Sequence, residues 1–414
     1  TLNDANGALN PTSIHGQAGD FAALFGEVKA LDRYTIEIPF KAFDPRWNSN
    51  FTNLAGQAFV VFSKRIYDEK GADWMRDNLP VGTGPYDIIE WVKDDRAVLE
   101  ALPTHWDKPG QVKTLRFVEI PETATRVAMM RTGEADVATL PLKEIPPLLD
   151  GGFVTGGIGS AQELLIAFSG NLWEEKHAVT GQPLDYAGVY AADHPWVGNP
   201  FSPNDRNNPP GMDDMEQARL VRWALAMAYD REALNEQLQA GLGWPTYIGF
   251  FSPKDPNWDD KFKVPYDPQK AKEFLAQAGF PNGFEVQIFG QSDTEIRSEI
   301  ADAVGGYWQQ IGLKVTVLHY PYAVFRPSIV SRSNVVPHIN SCDDSRTPNP
   351  WDWPRALTFT SRTRGGFSCS VESPFIAETF AKVAGEPDPA KRLAMNLELL
   401  EYLHHQMLAA GTIA

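Results

Sequence analysis

Paired carboxylates, neighbouring histidines and closely spaced tryptophans are the residue sets in this chain whose types and spacing suit chemistry. None of them completes a catalytic motif. Asp213-Asp214 and Asp343-Asp344 are the densest carboxylates. The first pair precedes a helical pattern, where acidic side chains cap free N–H groups and offset the helix dipole. His404-His405 are consecutive on a helical pattern, so their side chains point about 100° apart and do not share one ion. A His-Glu-x-x-His helix, a phosphate-cradling loop ending in Lys-Ser/Thr and a Gly-x-Ser-x-Gly elbow are all missing from the sequence. Glycosidase carboxylates pair in space, so a hydrolase stands as the alternative from another class, with no residue set in its favour. Trp351 and Trp353 alternate, and in an extended segment they share a face on which a solute can stack, with core packing as the competing role. No metal and no cofactor is expected.

These side chains need elements to position them, and the hydrophobic periodicity supplies a mixed α/β order. Residues 33–40 (RYTIEIPF), 86–91, 97–102, 113–120, 136–139 and 163–168 read as strands. Residues 123–131 read as a helix stopped at Gly133. The Gly82-Thr83-Gly84-Pro85 run reads as a turn whose Gly and Pro fix the backbone angles. Residues 170–211 are irregular, too long for an ordinary loop inside a compact domain. Beyond them, residues 215–229 carry Leu220, Trp223, Ala224 and Met227 on one helical face. Asp230 caps a second helix, and Asp267-Pro268 opens a third. Residues 284–289, 298–310 and 313–318 form a strand–helix–strand unit of the length of a parallel crossover. A final helix covers residues 390–408. Tyr320, Tyr322 and Phe325 lie just past a strand's carboxyl end, where ligands of parallel sheets bind. Arg297 follows another strand end, placed for an acidic ligand group or for the protein surface.

The chain has 414 residues, 43% hydrophobic and 22% charged, which excludes general disorder. Gly 33 and Pro 32 imply many turns. A net charge of −16 without a basic run makes nucleic acid a poor partner. No apolar run reaches the roughly 18 residues that span a bilayer. The chain starts at Thr1 rather than Met, so the lack of a visible leader carries no information on compartment. Cys342 and Cys369 allow one bridge or two thiols.

At residues 80–91 (PVGTGPYDIIEW) the sequence resembles the family 5 extracellular solute-binding proteins of peptide-type ABC importers. Five more segments resemble the family in its own order. They are residues 94–106 (DDRAVLEALPTHW), 118–138 (VEIPETATRVAMMRTGEADVA), 218–234 (ARLVRWALAMAYDREAL), 266–279 (YDPQKAKEFLAQAG) and 299–317 (EIADAVGGYWQQIGLKVTV). The resemblance implies an α/β, two-lobed periplasmic-binding-protein-like fold of the class with an extra subdomain, its mixed sheets flanked by helices. It places a first lobe over residues 1–162, an inter-lobe crossing over 163–212 and a second lobe over 213–414. It also implies that strands before Thr1 and segments after the last helix are missing, with most of the extra subdomain. The fragment is then expected to be unstable or to expose strand edges.

The implied function is capture without catalysis. An extracytoplasmic protein, periplasmic or extracellular and with lipid anchoring as one mode, takes peptides or similar polar oligomers into a cleft and delivers them to a membrane permease. An oligosaccharide binder of the same fold is the alternative. A monomer is expected. The resemblance makes residues 340–364 (NSCDDSRTPNPWDWPRALTFTSRTR) the cleft loop of the second lobe. Peptide binders of the family place an Asp there for the ligand's amino group. Aligning Asn349-Pro350 with the family's Asp-Pro puts Arg346 near that anchor instead, with Asp343 and Asp344 slightly earlier. Arg346 suits a carboxylate or another anion. Phe168, Asn171 and Trp173 adjoin the crossing and are expected at the cleft. The expected ligand-binding set is therefore Asp343, Asp344, Arg346, Trp351, Trp353, Tyr322, Phe168, Asn171, Trp173 and Arg297.

Overall fold

The computed structural model describes residues 25–41, 43, 63–78, 82–156, 163–171, 175–176, 181–183, 193–201, 208–248, 251–330, 333–340 and 373–414. The chain packs as two units, one of residues 50–155 and one that combines 1–49 with 156–414.

The larger unit begins with a short hairpin of β1 (Lys29–Ala30) and β2 (Ile36–Glu37). The strand expected over 33–40 is cut to β2 by its turn. The Asp32 carboxylate accepts the Tyr34 N–H at 2.7 Å, and Thr35 O accepts the Leu31 N–H at 2.9 Å. In the 50–155 unit, α1 (Lys64–Asp77) starts on Ser63 and kinks at Gly71, whose φ is 82°. β3 (Tyr86–Val92), β4 (Arg96–Ala101) and β5 (Thr114–Val118) then form an antiparallel meander. Their register sets Tyr86, Ile88, Trp91, Ala97, Leu99, Leu115 and Phe117 on one face. Trp91 and Phe117 on that face are exposed, and no further strand lies beside β3 or β5 among the described residues. Next, α2 (Thr123–Thr132) ends where expected, with Gly133 in the left-handed region at φ 74°. Residues 136–139 form no strand. The Glu134 and Ala135 N–H groups both bond Met129 O, which folds the chain back onto α2. A short α3 (Pro146–Asp150) closes the unit.

The larger unit resumes with β6 (Leu165–Ala167), followed by α4 (Asp214–Met227), α5 (Arg231–Gln239) and α6 (Pro268–Gln277). The three helices start on Asp213, Asp230 and Asp267, each accepting an N–H three residues on. Then come β7 (Glu285–Gln291), α7 (Glu295–Gln310), β8 (Lys314–Tyr320), α8 (Tyr322–Val330), β9 (His338–Asn340), α9 (Pro374–Gly385), α10 (Pro389–Gln406) and β10 (Ala409–Gly411). The strands make one sheet in the order β10-β6-β9-β7-β8. β7 and β8 are parallel across α7, as the crossover pattern implies, while β6 pairs antiparallel with both neighbours.

Alternation along these strands builds three layers. Leu164, Ile166, Phe168, Ile288 and Ile339 join the core formed with α4, α6 and α7, whose centre is the fully buried Trp308. Leu165, Ala167 and Ala409 point the other way, onto Leu399, Leu400 and Leu403 of α10 and onto Phe251 and Phe262. Phe289 also faces that second side, further along the sheet, under Phe325 and Ile329 of α8. Side chains of β6 thus anchor two cores at once. No helix of the described residues is long and apolar enough to cross a membrane.

Two arginines are fully enclosed. Arg222 of α4 donates to Gln406 O at 2.9 Å, Trp196 O at 2.8 Å and Asn171 Oδ1 at 3.2 Å. Burial lowers its pKa to about 9, so it stays charged at neutral pH. Arg231 donates to Thr246 O and Gly411 O, each at 2.9 Å, and lies over the Tyr229 ring at 4.2 Å. Two histidines are also held in apolar surroundings. His404 packs against Trp223 and Phe262, and His338 against Phe325. Burial lowers their pKa values to about 4 and about 3.

Two predictions follow from this packing. A Cβ on Gly290 of β7 would lie 2.7 Å from Ala301 Cβ and 2.9 Å from Arg297 O, whereas one on Gly306 of α7 would meet nothing within 4 Å. Gly290→Ala should therefore cost about 1–3 kcal/mol in urea unfolding, and Gly306→Ala should gain about 0.5–1 kcal/mol. The second concerns pH. Neutral His338 is favoured in the fold, whereas the unfolded chain takes up its proton near pH 6.5. The stabilisation is complete above pH 6.5 and is lost as pH falls towards about 3. Unfolding at pH 4.5 should show roughly 2–3 kcal/mol less stability from this group than at pH 7, and His338→Gln should flatten that dependence.

Candidate functional site

The parallel strands β7 and β8 end side by side, and short turns tie their carboxyl ends together. The Ser292 N–H bonds Tyr320 O at 3.1 Å, and the Asp293 carboxylate accepts the Tyr322 N–H at 3.3 Å. One acidic side chain after β7 thus caps the helix that follows β8. Gly290 lets the first turn of α7 close onto β7, as its missing Cβ requires.

Gln291 is the last residue of β7 and is buried. Its amide nitrogen donates to Thr294 Oγ1 at 3.2 Å, and its amide oxygen accepts from Arg297 Nη1 at 2.5 Å. Its main-chain oxygen takes the Ser298 hydroxyl at 3.0 Å. A cation in the first turn of a helix opposes the dipole. The Gln291 oxygen offsets that cost and holds Arg297 half-buried at the strand end.

An aromatic stack stands beside this pair. Phe289 lies 4.1 Å from Phe325 and 4.6 Å from Tyr320, ring centre to ring centre and nearly parallel. Phe325 in turn meets the His338 ring at 5.0 Å. The His338 Nδ1 and the Ser169 hydroxyl are 3.0 Å apart, and Asn334 Nδ2 donates to that hydroxyl at 2.8 Å. Arg297 is close enough to help depress the His338 pKa, after burial. This end of the sheet therefore holds an arginine, an amide and stacked rings on a rigid polar base, which suits orientation of a polar solute. Among the described residues no three His, Cys, Asp or Glu side chains gather to hold a metal.

Of the residues singled out from the sequence, the structure brings Arg297 and Tyr322 to this end. Tyr322 is half-buried and packs at the edge of the Phe289–Phe325–Ile329 cluster. Phe168 has 0% exposure and belongs to the main core. Asn171 is equally enclosed, donating to Phe168 O at 2.8 Å and accepting from Arg222. Neither side chain presents a surface to a solute. Asp343, Asp344, Arg346, Trp351, Trp353 and Trp173 lie outside the described residues, as do Cys342 and Cys369. Ser169, Asn334 and His338 escaped the sequence reading. Their link spans well over a hundred residues and has no local signature.

A cavity of about 660 Å3 opens at the opposite, amino-terminal end of β7 and β8, beside His194, Trp196, Gln287 and Thr316. Its Lys314 and Glu285 pair with each other at 3.3 Å and are about four-fifths exposed, 79% and 81%. Trp196 offers it little ring surface, being 3% exposed. This hollow is a solvated sheet face, and the convergent polar groups lie at the other end.

Residues 5–335 match the family model for bacterial extracellular solute-binding proteins, family 5. The chain is 24% identical over 325 residues to heme-binding protein A of Haemophilus influenzae, covering 75% of this chain and 50% of that protein. It is 26% identical over 297 residues to the glutathione-binding protein GsiB of Escherichia coli, covering 70% of this chain and 48% of that protein. The chain thus spans about half the length of the curated relatives it matches. Among solved structures, periplasmic binding protein DppA of Helicobacter pylori, in complex with the peptide STSA, superposes with a TM-score of 0.71 at 19% identity, covering 99% of this chain and 74% of that one. AgaA of A. tumefaciens, in complex with agropinic acid, superposes with a TM-score of 0.73 at 16% identity, covering 100% and 75%. The fold is that of the periplasmic binding proteins, mixed sheets flanked by helices. The chain belongs to the bacterial extracellular solute-binding proteins, family 5.

Proposed function

We propose that this chain is the solute-capturing part of an ABC importer's binding protein. It takes peptides or similar polar oligomers and hands them to a membrane permease. The observation that carries the reading is the family match over residues 5–335. The carboxyl end of the β7–β8 sheet is in keeping with it, since Arg297, Gln291 and the Phe289–Tyr320–Phe325 stack offer orientation to a polar solute. The similar proteins are binding proteins by name, which supports capture over catalysis. The protein acts outside the cytoplasm, as a monomer and without nucleic acid. A lipid anchor on a preceding segment is one way of holding it at the membrane.

The ligand surface proposed for the second lobe joins Arg297 and Tyr322 with Asp343, Asp344, Arg346, Trp351 and Trp353. Two cationic side chains in that set favour a solute with at least one carboxylate.

A thermal-shift screen of the full-length protein against short peptides and oligosaccharides tests the reading. A specific ligand at 100 times its Kd should add about 2.7 kcal/mol. If peptides and oligosaccharides alike leave the melting temperature unmoved, the substrate assignment is wrong. By calorimetry, Arg297→Ala and Arg346→Ala should each weaken a carboxylate ligand by about 1.5–3 kcal/mol. Amidation of the ligand's carboxylate should erase the difference from wild type. Unchanged affinity in either variant removes that arginine from the site.

A further inference from the structure

The chain bends at residues 83–85, but the bend does not call for glycine at 82 or 84. Neither glycine has a positive φ, and a Cβ on either would meet nothing within 4 Å. Nothing in the surrounding fold therefore requires their missing side chains, although all three residues are exposed. Their N–H groups make no hydrogen bond to a described residue. The Thr83 carbonyl, by contrast, is fully committed. It accepts from His105 Nε2 at 2.8 Å and from Trp106 Nε1 at 3.2 Å.

That pair of hydrogen bonds fixes the loop after β4 against the run before β3. The base beneath is equally firm. Leu102 N–H bonds Pro85 O at 2.9 Å, and Tyr86 OH bonds Val112 O at 2.9 Å. Gly110 lies so close on the Tyr86 ring that a Cβ there would fall 2.5 Å from it. On this base Trp106 remains 81% exposed. Leaving an indole in water forgoes the burial that aromatic rings usually supply. Here one edge of the ring is pinned and its face is left open.

A bare main-chain strip with unspent donors, beside an immobilised indole, matches an extended peptide. Peptide carbonyls can approach the N–H groups closely because residues 82 and 84 carry no side chain. An apolar or cationic ligand side chain can lie on the ring. We infer that Gly82, Thr83, Gly84 and Trp106 form a contact site for the main chain and one side chain of a short, extended peptide. The inference rests on the peptide reading above and adds a ligand surface on the 50–155 unit.

The test uses full-length protein and two probes, tetra-alanine and the same tetrapeptide with one phenylalanine, with affinities from calorimetry. Gly82→Val and Gly84→Val put side chains into open space, so the melting temperature should stay at the wild-type value. Affinity for both probes should fall about tenfold or more, as for the loss of one or two hydrogen bonds. Trp106→Ala should weaken the phenylalanine probe more than tetra-alanine. Unchanged affinities in the glycine variants overturn the site. A melting temperature several degrees lower also overturns it, because the strip would then be packing against the protein itself. A wild type that binds neither probe refutes the peptide reading and the site with it. Tight wild-type binding that the variants retain refutes the site alone.

Discussion

The larger unit depends on a buried cation. Arg222 sits in the middle of α4 with no contact to water, and its hydrogen-bond acceptors among the described residues are carbonyl oxygens alone. A lone guanidinium in such surroundings would be very costly without compensation. Part of that compensation comes from the carboxyl end of α10, where Gln406 O carries the negative pole of the helix dipole. The rest comes from Trp196 O and the Asn171 amide, on the irregular stretch after β6. One side chain thus joins the central helix, the last long helix and a stretch of chain with no regular structure of its own. An aliphatic residue could fill the space, but it would take a donor from each of these three acceptors, and Gln406 O has no other among the described residues.

Arg231 does the same at the next corner. It gathers Thr246 O, Gly411 O and the Tyr229 hydroxyl, and so fixes β10 against the segment after α5. β10 is three residues long, too short to hold its place by ladder bonds alone. Both arginines substitute directional main-chain contacts for ion pairs, which pins geometry more strictly than charge matching would.

The elements were largely legible, because caps and periodicity are local. Asp213, Asp230 and Asp267 marked helix starts, and the alternation in β7 and β8 with the helix between them marked a parallel crossover. Failures came where a local contact outweighed alternation, as when Asp32 bent the chain at Tyr34. The polar end of the sheet was legible only in part. Arg297 was visible as a charge after a strand, but its hold on Gln291 depends on a turn closed over Gly290. Phe168 and Asn171 looked like cleft residues because they adjoin an irregular stretch. They are enclosed because that stretch is held inward by Arg222 and Trp196. The Ser169–His338–Asn334 link joins segments that only the finished sheet brings together.

The central position of β6 has a consequence for how the molecule is made. Its partners are β9, beginning at His338, and β10, where Leu165 meets Gly411. A strand synthesised early must therefore wait for segments near the far end of the described chain. Contacts so distant in sequence are closed late and slowly. Until those segments are made, β6 lacks both of its strand partners. The architecture that gives the finished sheet its two cores thereby makes its completion depend on a strand about 240 residues further along the chain.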